Sequence, residues 1–121
     1  MHGVLVCFTM RSHRDLVAWQ VARECALGIH RYADTHWSPQ RTAAFDQLRR
    51  AALSVQLNIA EGYASGRGAR CRFHLRIAHA SAVETTEVLG FLQDLGESVS
   101  ALVGLSARVE SLTFRLWQRT R

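Results

Sequence analysis

Glu84-Thr-Thr-Glu87 sets two carboxylates three residues apart, neighbours on one side of a helix, where paired-carboxylate hydrolysis or a di-iron centre could use them. Nothing else in the chain completes either chemistry. No Glu-x-x-His or His-Glu-x-x-His string occurs, and His74 and His79, five residues apart, would project roughly 140° from each other around a helix. The histidines therefore read as surface or packing groups, and no metal site is expected. Cys25 has no base beside it in sequence and Cys71 has only His74, so both read as buried, inert thiols. With no nucleophile–base pair and no cofactor motif, the expectation is a protein without catalytic residues and without a cofactor.

The chemistry the chain does carry is that of arginine. Fifteen basic side chains stand against ten acidic ones for a formal charge of +5, and all fifteen are arginines. Residues 62–83 hold Arg67, Arg70, Arg72 and Arg76 with no acid, whereas 84–97 hold Glu84, Glu87, Asp94 and Glu97 with no base. Arg72, Arg76 and His79 fall near one edge of a helix, and Arg115, Arg119 and Arg121 make a second basic patch at the C-terminal end. Guanidinium forks match phosphate geometry and stack on exposed bases, so these residues are the expected contacts to RNA or another single-stranded backbone. The competing reading is a solvated face whose arginines pair with carboxylates of a neighbouring subunit. Helix-turn-helix spacing, zinc-finger cysteines and a basic zipper are all missing, which argues against sequence-specific DNA reading. Of the tryptophans, Trp19 reads as core, and Trp37, between the first two helical patterns, is the one left open for base stacking.

These residues must be positioned by helices. A 121-residue chain with 48% hydrophobic and 21% charged residues and a single proline, Pro39, is expected to fold as one helical domain. Ser12-His-Arg-Asp15 has the form of a capping box, and Leu16, Trp19, Ala22, Ala26 and Ile29 repeat at helical steps towards Ala33. Ser38-Pro39 signals a second start, followed by Phe45, Leu48, Ala52, Val55 and Ile59, with Gly62 at or near the end. After Ser65-Gly-Arg-Gly68, a third helix from about Ala69 to Leu95 carries Leu75, Ala78, Ala82, Thr85, Leu89 and Leu92. Gly96 stops it, Ser98 or Ser100 can cap the next, and Leu102, Leu105, Val109, Leu112 and Leu116 form the last stripe. The fold class is thus all-α, an antiparallel up-down four-helix bundle over 12–121, with residues 1–11 a flexible lead-in.

Two helices carry more apolar surface than one bundle needs. The second helix has an extra edge of Leu53, Leu57 and Ala60, and the third a second stripe of Phe73, Ile77, Ala80, Glu84 and Phe91. These faces predict a homo-oligomer, the alternative being that Leu53 and Leu57 pack on the third helix. Arg49, Arg50, Ser54, Asn58 and Glu61 line the polar side of the second helix and read as intersubunit hydrogen-bonding groups or a partner-contact ridge. Glu84, on an apolar stripe, is expected to accept a charge-assisted hydrogen bond from Arg49 or Arg50. Three unpatterned cysteines and no apolar run long enough to span a bilayer suggest a reducing cytoplasm and no membrane.

The strings Asp15-Leu-Val-Ala-Trp-Gln20, Gln47-Leu-Arg-Arg-Ala-Ala-Leu-Ser-Val55, Asn58-Ile-Ala-Glu-Gly-Tyr63 and Leu75-Arg-Ile-Ala78 carry a resemblance. Over residues 14 to 116 the chain resembles the four-helix-bundle family of ribosomal RNA intervening-sequence proteins and the accessory variability determinant (Avd) proteins of diversity-generating retroelements. The resemblance implies a barrel-like homopentamer and no enzyme chemistry. For the retroelement branch it also implies a basic surface that binds nucleic acid and a reverse transcriptase. The competing expectation is an interaction scaffold of the intervening-sequence type with no direct nucleic-acid role. The chain departs from the family pattern at Gln56, where the family has a kinking proline, and at Arg67 and Arg70, near which the family has a serine and a glutamate.

Overall fold

Four apolar stripes become four helices: α1 (Val17–His36), α2 (Thr42–Ala64), α3 (Ala69–Asp94) and α4 (Ser100–Gln118). A computed structural model describes residues 12–120, leaving aside the side chain of Asp15. The expected lead-in at 1–11 and Arg121 lie outside the described residues. Among the described residues there is no strand. Each helix packs on the next in sequence and α4 closes back on α1, with the α2–α3 contact the most extensive. With such short connections this is an up-down four-helix bundle.

The helix boundaries follow local chemistry, with three departures from expectation. The Ser12 hydroxyl accepts the Arg14 N–H at 2.9 Å and starts only a 3-10 turn, His13–Asp15; α1 begins after an extended Leu16 with no side-chain cap. The capping role expected of the Asp15 side chain lies outside the described residues. Pro39 likewise opens a 3-10 turn, Pro39–Arg41, that leads into α2; Ser38 makes no side-chain cap, although its carbonyl accepts the Thr42 hydroxyl at 3.2 Å. Neither Ser98 nor Ser100 caps α4, whose N-cap position is Val99. At the end of α3 Gly96 does act as read: with φ 101° it lets its own N–H reach Gln93 O and the Glu97 N–H reach Leu92 O, a Schellman closure.

Gly62 lies near the end of α2, as expected, two residues before Ala64, and is buried there. A Cβ there would come 3.2 Å from His74 Cβ and 3.3 Å from the Cys71 carbonyl, so the missing side chain is what lets α2 and α3 approach. The expected stripes of α1, α2 and α3 are all buried, with Ile29, Phe45, Leu48, Ile59, Leu89 and Leu92 almost fully enclosed. In α4 the most buried line is Val99, Ser106, Val109 and Thr113, while Leu102, Leu105, Leu112 and Leu116 flank it half-buried. The hydroxyls survive burial because they are paired: Thr113 donates to Val109 O at 2.8 Å, and Ser106 bonds the Thr86 hydroxyl at 2.7 Å. At the centre, Ala22, Cys25, Ala52, Val55, Ala82, Thr85, Ser106 and Val109 leave a void of only about 10 Å³, no larger than one water. The centre of the bundle therefore has no room for a ligand.

The two ends of the bundle differ. At one, Tyr32 donates to Glu97 Oε1 at 2.9 Å, Arg41 Nε reaches Glu97 Oε2 at 3.3 Å and Arg41 also donates to Leu95 O, tying α1, the Pro39 turn and the α3–α4 connection together. At the other, the glycine-containing loop and the start of α3 meet the end of α4. None of the described helices is long and apolar enough to cross a membrane.

Candidate functional site

The start of α3 and the end of α4 lie side by side, which brings the two basic segments to the same end of the bundle. Arg72 donates to Thr120 O at 3.5 Å, and two turns further on His79 meets Thr113, Phe114 and Trp117 of α4. Because the Thr113 hydroxyl gives its proton to backbone carbonyls, it accepts from His79 Nδ1–H at 3.2 Å, which fixes the imidazole between the helices. Arg67, Arg70, Arg72, Arg76, Arg115 and Arg119 are exposed around this end. Arg121 lies outside the described residues. Among the described residues no carboxylate stands within ion-pair distance of Arg70, Arg72, Arg76, Arg115 or Arg119.

Between the helices runs an open groove of about 540 Å³, lined by Ala69, Arg72, Phe73, Arg76 and Trp117. The Arg76 guanidinium lies 6.0 Å from the centroid of the Phe73 ring, the limit of cation–π contact. Trp117 is half-buried, stacked on His79 with centroids 6.1 Å apart and met edge-on by Phe114. Sequence reasoning left Trp37 open for base stacking. Trp37 is exposed, but in the α1–α2 connection, at the end of the bundle away from the arginines. Trp117, not Trp37, is the tryptophan that lines the groove.

The residues expected between subunits divide into two groups. The polar ones are paired inside the chain, mostly along the α2–α3 seam. Asn58 donates to Ser54 O and Oγ and accepts from His74 Nδ1–H at 3.0 Å; Ser54 bonds Ser81 at 2.8 Å; Glu61 stands 3.5 Å from His74 Nδ1. Arg49 pairs with Asp34 at 3.3 Å and with Asp46 at 3.7 Å, and Arg50 donates to Gln47 Oε1. Glu84 accepts from Gln47 Nε2 rather than from Arg49 or Arg50: the amide one turn earlier spans the gap between helices, and the arginines are engaged elsewhere. The apolar group remains uncovered within the chain. Leu53, Leu57, Phe73 and Phe91 are 41–59% exposed and Ile77 is half-buried, so Leu53 and Leu57 do not find their cover on α3.

Cys25 is buried and its thiol is pushed up to about 11, first by burial and then by the nearby Glu24 charge; Cys71 is also buried. The Cys25 thiol therefore stays protonated at neutral pH. No group of three or more His, Cys, Asp or Glu among the described residues is arranged to hold a metal ion.

No curated protein and no solved structure matches the chain. A family model does: that of the 23S rRNA-intervening sequence protein, aligned over residues 14–103, from the turn before α1 into the first turn of α4. The match takes in α1, α2 and α3 whole, including the arginines at the start of α3, and this all-helical chain belongs to the 23S rRNA-intervening sequence protein family.

Proposed function

We propose that the protein is a non-catalytic, homo-oligomeric nucleic-acid-binding module whose arginine-rich end holds RNA or another single-stranded backbone. The observation that carries this reading is the open groove at this end, which Arg72 and Arg76 line with no carboxylate at ion-pair distance among the described residues, with Arg115 and Arg119 exposed at the same end. Exposed guanidinium groups with no carboxylate at ion-pair distance are available to phosphate. The uncovered Leu53 and Leu57 of α2 and Phe91 of α3 support self-assembly, and a closed ring of five copies would repeat the arginine surface five times and raise weak contacts by avidity. In that form the protein would serve a nucleic-acid-handling enzyme, such as the reverse transcriptase of a diversity-generating retroelement, as an accessory subunit in the cytoplasm. The same exposed leucines and phenylalanines favour a second reading, a scaffold that binds a protein partner and leaves nucleic acid alone.

A labelled structured RNA titrated with the protein across a salt series separates the two. Saturable binding that weakens steeply with salt is expected, with a shallower slope for the Arg67→Ala/Arg70→Ala/Arg72→Ala/Arg76→Ala variant of equal assembly mass by native mass spectrometry. Absence of binding at low salt would assign the charge to a protein partner.

A further inference from the structure

We infer that the groove between α3 and α4 seats one unpaired base of the bound strand, with Trp117 as its stacking platform; this rests on the nucleic-acid reading above and names the form that is bound. A surface that only neutralises phosphate needs exposed cations and no aromatic walls. Here Phe73 and Trp117 line the same groove as Arg72 and Arg76, and Ala69 leaves its mouth open. At about 540 Å³ the groove falls within the range of small-ligand sites, room for a base and its sugar.

The indole is also held ready. His79, fixed by Thr113, stacks on it with an interplanar angle of 24°, and Phe114 meets it at 83°. The two arginines stand where the phosphates flanking such a base would lie: Arg72 is held at the end of α4 through Thr120 O, and Arg76 lies over Phe73. A base within a duplex is already stacked on its neighbours and presents only its edge, so it cannot enter. An unpaired base can, and stacking of this kind tolerates any base identity. The expected selectivity is therefore for single strands over duplexes, without strong sequence preference. A protein partner bearing an acidic segment is the occupant that charge alone would equally admit, and the test distinguishes it.

The probes are an oligouridylate and an RNA duplex of the same length, each titrated at one salt concentration by anisotropy and by tryptophan fluorescence, with Trp37→Phe as background to remove the other exposed indole. The oligouridylate is expected to quench the Trp117 share of the remaining fluorescence and leave that of buried Trp19. Trp117→Leu, which keeps apolar bulk against the core, should bind it roughly tenfold more weakly while duplex binding changes little. Ala69→Leu, a substitution at an exposed first-turn position that helices accept, should block the groove and give the same selective loss even if Trp117→Leu proves poorly folded. Equal loss for both probes, or binding of both without quenching, would overturn the stacking site while leaving backbone binding in place. Displacement of the oligouridylate by polyglutamate at equal charge concentration would give the groove to a protein segment. Binding of neither probe at low salt would overturn the nucleic-acid reading and this inference together.

Discussion

Single side chains in this molecule do their work as members of pairs, and the knot around Glu97 shows it best. Tyr32 and Arg41 each bond one Glu97 carboxylate oxygen, and the Tyr32 hydroxyl also accepts the Ser98 N–H at 3.1 Å. Burial raises the Tyr32 phenol above its ordinary value, and the hydrogen bond to Glu97 raises it further. A folded-state value above the unfolded one means that the protonated phenol stabilises the fold below about pH 10, and that this contribution disappears as pH rises through the folded value. Tyr32→Phe should therefore cost about 1 kcal/mol at neutral pH, and its stability should fall less steeply than wild type above about pH 10. Urea midpoints at the two pH values check this; equal alkaline slopes would remove Tyr32 from the account. At the other end of the bundle, the arginines were readable as residue types in sequence, but the role of Trp117 was not. That role depends on α4 ending beside the start of α3, and no local pattern encodes the adjacency.

The helices themselves were the most legible level. Apolar residues at three- and four-residue steps marked the buried faces of α1, α2 and α3, because a helix can bury only one stripe against its neighbours. In α4 the leucines drew attention to the flanks, while the centre of the packed face belongs to Ser106 and Thr113, hydroxyl residues that a polarity pattern assigns to solvent. They can sit there because local carbonyls and Thr86 satisfy them. Capping signals located the starts of α1 and α2 to within a few residues but not their form, since in both cases a 3-10 turn intervenes. The polar residues of α2 were legible as paired but not as paired within the chain, because a seam between helices of one copy and a seam between copies demand the same residue types. Gly62 and Gly90 test how closely the elements meet. Gly62→Leu should destabilise by roughly 1–3 kcal/mol by forcing α2 from α3. Gly90→Ala meets nothing within 4 Å and should stabilise by about 1 kcal/mol through helix propensity. Denaturant midpoints moving the same way for both would contradict this packing.

At the scale of the whole molecule, structure and charge divide the bundle lengthwise into jobs. The Glu97 end is closed by internal ion pairs and hydrogen bonds. At the opposite end Arg72 and Arg76 of α3 line an aromatic groove, Arg115 and Arg119 of α4 are exposed nearby in the bundle, and none of the four stands at ion-pair distance from a described carboxylate. The outer faces of α2 and α3 keep large apolar side chains uncovered, surface that a second copy can bury. The central claim is that nucleic acid meets the protein at the arginine end and nowhere else. Ultraviolet cross-linking of the intact protein to a single-stranded RNA, followed by mass spectrometry of the linked peptides, tests it most directly. Links are expected within residues 69–79 and 113–120, with Trp37 unmodified. Links concentrated at Trp37 and the α1–α2 connection, or spread evenly over the chain, would contradict it.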